Sequence, residues 1–574
     1  MKLALAQHQQ TWQLFSLFLM TVVCYFITLK APFYLDDASS IYENVHRLGL
    51  PLLEVFNLYG LRGVAYASFA LNYQVSGLDI AGFHLTNNAI HFFCAAFVYL
   101  LTKECCRAKQ VSTAWLPFVV ALVFVCHPLS SQAVTYIVQR IASLAGLFYF
   151  ASLYFYLLTR QAHKSKEVLI YGFITGLFIL LALFTKQNTV AIFLSIFLLE
   201  WLVLGALANK FKLVFVGFLG CLMLAALLVA FSESFQQGVL WLDAYTRETT
   251  EITRLAYFET QIRVVGEYIQ RLFVPNSLQL EYTTPIADGL FTKVSGYIWL
   301  HVALLITAIY CVKKQPLISF GIFFYYTAQI VESSFIPIRD VAFDHRTYIP
   351  NFGLILAVVV AIYHAVKRFD IKPFIVVLSA MSIIAVYSSI TIKRNALWLD
   401  PVAFYQYELA ISTNKARVHN ALAQLYMESE QWRKASEHFE QAVVLTDEPG
   451  MRALYISNYI AAVKNSGELE QAISLTQTYL PLVNSNEARK QLLTNLGFIY
   501  IQKREASNAF SAFKNVMTMD NRPPPNEANL GMALSLWALK RQSQAKIYLQ
   551  RTISNDPEND YARQLLEKLK AQGF

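Results

Sequence analysis

The chain has 574 residues, of which 56% are hydrophobic and 15% charged, with a mean hydropathy of +0.41. That is too apolar for a protein soluble throughout its length. The net charge of +9 is therefore read as loop charge that orients membrane helices, not as a nucleic-acid surface.

Apolar runs dominate from about Trp12 to Ile392, and the chain from about Leu399 onward is polar and helix-friendly. The expected organisation is a polytopic membrane domain over 1–398 and a water-soluble domain over 399–574. A bilayer core takes about 20 apolar residues per helix. About eleven runs qualify, near 12–29, 83–101, 112–127, 141–159, 167–184, 188–206, 211–231, 291–311, 317–336, 349–366 and 374–392. The first is read as an uncleaved helix: it is long, Lys2 is the charge before it, and no small-x-small cleavage site precedes "LKAPFYLDD". The even-numbered gaps carry "TKECCRAK", "RQAHKSKE", "NKFK", "VKKQ" and "VKRFDIK", which places them in the cytoplasm and the odd gaps outside. An odd number of spans then puts the C-terminal domain outside as well. The cysteines, Cys24, Cys94, Cys105, Cys106, Cys126, Cys221 and Cys311, avoid the polar part and form no CxxC pair, so neither a disulfide framework nor a thiolate metal site is implied.

The first outward gap opens with "APFYLDDASSIYENV", which puts Asp36 and Asp37 where the chain leaves the membrane. One role for such a pair is general base, with repulsion between the carboxylates raising one pKa. Another is capping of a helix beginning at Ala38. Binding of a divalent metal is a third. The outward gaps also carry Arg62, Arg140, Lys186, Arg263, Arg271, Arg339 and Arg346, against the usual charge bias of such loops. A lipid phosphate is the ligand that explains cations at this depth. His84 and His91 are spaced to share a helix face, in packing or in substrate contact, and His127 before Pro128 is read as structural. Arg263, Glu267 and Arg271 fall at i, i+4 and i+8 on an amphipathic helix, either as a salt-bridge row or as phosphate ligands. "DHRTY" packs Asp344, His345, Arg346 and Tyr348 between two apolar runs, with Arg346 as the favoured phosphate ligand.

The C-terminal part repeats. Ala435, Ala472, Ala509 and Ala545 recur at a nearly constant interval, with Tyr426, Phe439, Tyr500 and Phe513 at tetratricopeptide (TPR) spacing. A TPR α-solenoid with a concave face for peptides or proteins is expected; a structural cap or dimerisation unit is the plainer alternative.

The motifs "YLDDA", an Arg followed by "LNY", "HLTNNAIH", "HP" with a following "QR", "TK", "QIRVVGEYIQRLFVPNSLQLEY" and "DHRTYIPNFG", in this order, resemble those of the transmembrane and TPR-containing O-mannosyltransferases, and more closely their bacterial relatives. Gln187 and Gly63 depart from the family pattern, which has an acid and a proline there. The resemblance implies an all-α GT-C-class glycosyltransferase of the bacterial inner membrane, with its N-terminus cytoplasmic and its TPR domain periplasmic. It implies a polyprenyl-phosphate-linked sugar as donor substrate and a protein Ser or Thr as acceptor, with the acceptor or its carrier held in the TPR groove and membrane lipids around the spans. The implied catalytic residues are Asp36 and Asp37, and the implied donor-phosphate or substrate contacts are Arg62, His84, Arg140, Lys186, Arg263, Arg271, His345 and Arg346. An O-antigen ligase or oligosaccharyltransferase, and a membrane-anchored TPR scaffold without enzymatic activity, are the competing readings. The early position of the acid pair disfavours the first, and the many spans disfavour the second.

Overall fold

The computed structural model describes residues 2–111, 113–206, 248–287, 289, 294–520 and 522–573. Among these residues the chain is helical, without a strand. It divides into two compact units, Met1–Asp400 and Pro401–Phe574.

In the first unit, seven helices are long and apolar enough to cross a membrane: His8–Lys30, Ile80–Ala108, Ile137–Gln161, Ser165–Leu183, Gly296–Lys314, Asn351–Arg368 and Pro373–Leu397. The run near 112–127 gives a helix, Trp115–Cys126, that meets Pro128–Thr135 at a 55° bend. The cause is local. His127 precedes Pro128 and is pushed to an extended conformation, φ −71° and ψ 128°. The runs near 188–206 and 317–336 form shorter helices, Gln187–Val203 and Pro316–Ala328. The run near 211–231, with Cys221 and the "NKFK" loop before it, lies outside the described residues. Apolarity alone thus yields eleven runs, while the described residues hold seven long helices, or eight if the bent pair is one span.

Burial sorts the helices. Much of Ile80–Ala108, Arg140–Gln161 and Asn351–Arg368 is buried, whereas Ser165–Leu183 and Pro373–Leu397 expose Leu169, Phe173, Phe374 and Val377, as lipid-facing helices do. Pro316–Ala328 and Asn351–Arg368 cross at Gly321 and Gly353. A Cβ on either glycine would lie 2.3 Å from the other's carbonyl oxygen, so only glycine permits this backbone approach. Between the two helices, residues 329–350 carry "DHRTY".

The second unit is a succession of short-linked helices that pack on their neighbours: Ala416–Glu428 with Trp432–Leu445, Pro449–Asn465 with Leu469–Tyr479, Asn486–Gln502 with Ala506–Thr518, Asn526–Ala538 with Gln542–Asn555, then Asp560–Ala571. Ala435, Ala472, Ala509 and Ala545 are fully buried near the start of each second helix. The Phe513 ring fills the space that Gly497 and Gly531 leave.

Candidate active site

The first apolar helix ends in a 3-10 turn, Phe26–Lys30, and a single helical turn follows, Leu35–Asp37. Leu35 has φ +23°, a region branched residues avoid unless the surroundings over-determine it. The surroundings do. Asp37 is buried, and its Oδ2 accepts from the Tyr34 N–H at 3.0 Å while its Oδ1 accepts from the Val138 N–H at 2.7 Å. The capped turn therefore begins at Leu35, not at Ala38, and Asp37 reaches back to its start. Burial holds the Asp37 carboxyl up at about 8, against the two N–H groups that pull it down; the neighbouring Asp36 adds to the rise and Arg140 opposes it. Asp36 is half-buried, and its N–H donates to the Tyr136 hydroxyl at 2.8 Å.

The raised Asp37 carboxyl has a consequence for stability. The folded state binds this proton more tightly than the unfolded chain. Its stabilisation is full below about pH 4 and is lost as pH rises through about 8. The unfolding temperature of the detergent-solubilised chain is expected to fall between about pH 5 and about pH 9, and to fall less in Asp37→Asn. Equal slopes in the two proteins would remove Asp37 as the cause.

Arg140 and His84 brace this loop from below. Arg140 is fully buried; Nε donates to Asn87 Oδ1 at 2.6 Å, Nη1 to the Ser68 carbonyl at 3.1 Å and Nη2 to the Phe83 carbonyl at 2.9 Å. Its guanidinium also lies 4.6 Å from the Phe69 ring centre. Every face of this cation is occupied by protein, which differs from the phosphate-contact role expected from sequence. His84 Nε2 donates to the Ala31 carbonyl at 2.9 Å, pinning the chain just before the acid pair. His91 is likewise tied, to the Tyr348 hydroxyl at 2.7 Å and the Val125 carbonyl at 3.1 Å.

A second group gathers around residues 329–350. Lys186 Nζ pairs with Glu332 Oε1 at 2.7 Å, and Asn188 Nδ2 donates to Glu332 Oε2 at 2.8 Å. Burial holds Lys186 below its ordinary pKa, with the charges of Arg346 and Arg62 pressing in the same direction and Glu332 opposing. Arg62, Lys186 and Arg346 therefore share one electrostatic neighbourhood. Arg346 is buried, and its Nη groups donate to the carbonyls of Val341 at 3.2 Å and Asp340 at 2.5 Å. It shapes the loop from inside, which differs from its expected place as the leading phosphate ligand. His345 stacks on Phe343, and its backbone N–H and Nδ1 both meet Gln132 Oε1, at 2.8 and 3.1 Å. Burial keeps His345 neutral, far below its usual pKa, and Lys186 and Arg346 reinforce this.

The third group lies on the helix Arg254–Phe273. Glu267 pairs with Arg263 at 3.6 Å and with Arg271 at 3.0 Å, the expected salt-bridge row. Arg263 also donates to the Pro285 carbonyl at 2.6 Å. Arg271 lies over the Tyr282 ring at 4.1 Å, and Tyr282 donates its hydroxyl to Asp344 Oδ1 at 2.7 Å. Among the described residues Arg271 Nη1 is buried without a hydrogen-bond partner. A buried guanidinium N–H left unpaired is costly, and an anionic oxygen is the group that satisfies it.

One residue beyond Arg271, the Leu272 carbonyl accepts from His127 Nε2 at 2.8 Å and from the Tyr387 hydroxyl at 3.1 Å. His127 Nδ1 accepts from the Leu129 N–H, so Nε2 carries the proton. Leu272, His127 and Tyr387 are part of the wall of an apolar groove of about 320 Å3. Val119, Val123, Val359, Ile362 and Ile383 line it, on the helices Trp115–Cys126, Asn351–Arg368 and Pro373–Leu397. The groove thus reaches the end of the helix that carries Arg271. Among the described residues no group of three or more His, Cys, Asp or Glu is placed to hold a metal ion.

No protein-family model matches the chain. The chain is 29% identical over 143 residues to the mouse protein O-mannosyl-transferase TMTC3, covering 22% of this chain and 15% of that protein. It is 31% identical over 150 residues to Xenopus laevis tmtc2, covering 24% and 17%, and 26% identical over 166 residues to Drosophila melanogaster Tmtc3, covering 23% and 17%. The chain is a distant relative of the TMTC protein O-mannosyltransferases. Its match spans only 15–17% of the length of these relatives. The geometry brings in residues that the sequence alone does not single out: Glu332, Asn188, Tyr282, Tyr136 and Trp398. Glu332 had a readable signal, an acid within a run taken as membrane-spanning. The others had none, because their significance lies in contacts across more than 60 residues of sequence.

Proposed function

We propose that this chain is a GT-C-class membrane glycosyltransferase. It takes a sugar from a polyprenyl-phosphate-linked donor and transfers it to protein Ser or Thr on the extracytoplasmic face of a bacterial inner membrane, with its C-terminal unit as a TPR-type array that holds the acceptor or its carrier. Two observations support the reading: an apolar groove lined in part by Leu272 and Phe273, and, on the residue before them, a buried Arg271 Nη1 that lacks a partner among the described residues. A polyprenyl phosphate has both required parts, a hydrocarbon tail and an anionic head. Likeness to proteins named as O-mannosyltransferases supports the same class of transfer.

In this mechanism Asp36 is the base. Asp37 has both oxygens on backbone N–H groups and is held protonated near neutrality. Asp36 takes the acceptor hydroxyl proton as the oxygen attacks the anomeric carbon. The sugar–phosphate bond breaks on the opposite side, so a single displacement inverts the anomeric configuration. Arg271 receives the departing phosphate, with the Arg62–Lys186–Arg346 field behind it. Neutral His345 adds no charge to that field.

Mass spectrometry of envelope proteins from cells with and without this gene is the deciding experiment. A hexose-type mass on Ser or Thr is expected to vanish without the gene and to return with the wild-type copy but not with Asp36→Asn. An unchanged glycan inventory removes the proposal.

A further inference from the structure

The acid pair is held from two sides, and both holds meet at one side chain. Tyr34 supplies the N–H that Asp37 Oδ2 accepts, and Tyr136 supplies the hydroxyl that takes the Asp36 N–H. The two tyrosine rings pack against Trp398. Tyr34 stands edge-on to the indole at 4.8 Å and 77°, and Tyr136 lies tilted beside it at 5.6 Å and 34°. The Tyr34 hydroxyl also donates to the Trp398 carbonyl at 2.8 Å. Trp398 is 1% exposed and caps the helix Pro373–Leu397. The end of that helix is fixed independently: Asn395 Nδ2 donates to the Cys24 carbonyl at 2.8 Å, and Asn395 Oδ1 accepts from Thr135 Oγ1 at 2.7 Å. Asn395 thus ties Trp398's helix to the end of the first apolar helix and to Thr135, the residue before Tyr136.

We propose that Trp398 is a positioning residue that sets the geometry of the Asp36–Asp37 turn through Tyr34 and Tyr136. The proposal rests on the reading of Asp36 as base, and it goes beyond that reading by naming the aromatic clamp behind it. A turn containing Leu35 at φ +23° relaxes unless it is held. The indole is large and rigid enough to hold both rings at once. A smaller side chain frees one tyrosine or both. The turn then opens, water reaches Asp37, and the Asp36 carboxylate leaves its line of attack.

The test uses the full-length chain in detergent, in two arms. The first arm needs no substrate. A water-soluble carbodiimide with an amine nucleophile labels protonated carboxyls, and peptide mass spectrometry follows labelling of Asp37 against pH. Asp36 and Arg140 are the charged groups that act on Asp37, and neither is altered in the variants. In Trp398→Ala the labelling midpoint is expected to fall by at least about one pH unit, because hydration relieves the burial that raises it. Trp398→Phe keeps a ring and is expected to retain the wild-type midpoint. Tyr136→Phe keeps the ring but removes the hydroxyl, and serves if Trp398→Ala does not fold. It is expected to lower turnover while leaving the thermal unfolding temperature near that of wild type.

The second arm measures transfer from mannosyl-phosphoryl-polyprenol to envelope proteins. Trp398→Ala is expected to lose about 100-fold in kcat with little change in the donor KM, the size expected for a base displaced by about 1 Å. Trp398→Phe is expected to recover most of this. An unmoved Asp37 midpoint in a folded Trp398→Ala overturns the clamp, whatever its turnover. A wild-type chain inert toward this donor counts against the proposed function, and the labelling arm still decides the clamp.

Discussion

Asp36→Asn is expected to lower the rate of sugar transfer roughly 10²–10⁴-fold, about 3–5 kcal/mol in the barrier, while the protein inserts and unfolds at nearly the wild-type temperature. Asp36 is half-buried, and its backbone N–H, which the substitution leaves intact, makes the bond to Tyr136. Asp37→Asn separates the other way. The new amide must present its NH₂ to one of two backbone N–H donors, from Tyr34 or from Val138. A buried donor then faces a donor, a loss of about 1–3 kcal/mol in stability. Measuring unfolding temperature and turnover for both variants separates base from cap. Near-normal turnover in folded Asp36→Asn would end the mechanism.

Arg271→Ala is expected to weaken donor binding by about 2–4 kcal/mol, which is roughly 30- to 1,000-fold. Its Nη2 is held by Glu267 while Nη1 has no partner among the described residues, so the side chain is oriented with a buried donor available to a ligand. Arg271→Lys is expected to be impaired too, since a single ammonium cannot reach Glu267 and an anion together as a planar fork does. Arg346→Ala is expected to behave differently. Its donors sit on the Val341 and Asp340 carbonyls, so the loss falls on stability before it falls on affinity. Titration with a short-chain polyprenyl phosphate, against melting curves for the same variants, distinguishes the two. Unaltered affinity in Arg271→Ala would place the phosphate elsewhere.

The acid pair was legible in the sequence because composition made it anomalous: two carboxylates directly after an apolar run. Its division of labour was not. Which aspartate caps depends on the Val138 N–H, 101 residues away. The salt-bridge row at Arg263, Glu267 and Arg271 was legible because helical spacing alone creates it. Arg140 was misjudged for the opposite reason. An arginine in an outward gap looks available until Asn87, Ser68 and Phe83, far back in the chain, take its donors. The apolar runs marked where helices lie but overstated their reach. Pro316–Ala328 stops before Glu332, and the stretch beyond it becomes the wall of the site. The helix Gly63–Ser76 within the first outward gap was not legible, since its apolar residues fall on all sides and mark no face.

The contact between Gly321 and Gly353 reaches further than packing. These glycines sit on the two helices from which the 329–350 segment hangs, so their close approach fixes how near its two supports stand. Glu332, Arg346 and Asp344 all stand within that segment. An alanine at either position would put its Cβ only 2.3 Å from the facing carbonyl oxygen, so the helices must part, and the Lys186–Glu332 ion pair, at 2.7 Å, has little slack to follow. A single methyl group at a crossing of two apolar helices is therefore able to retune how the site meets an anion.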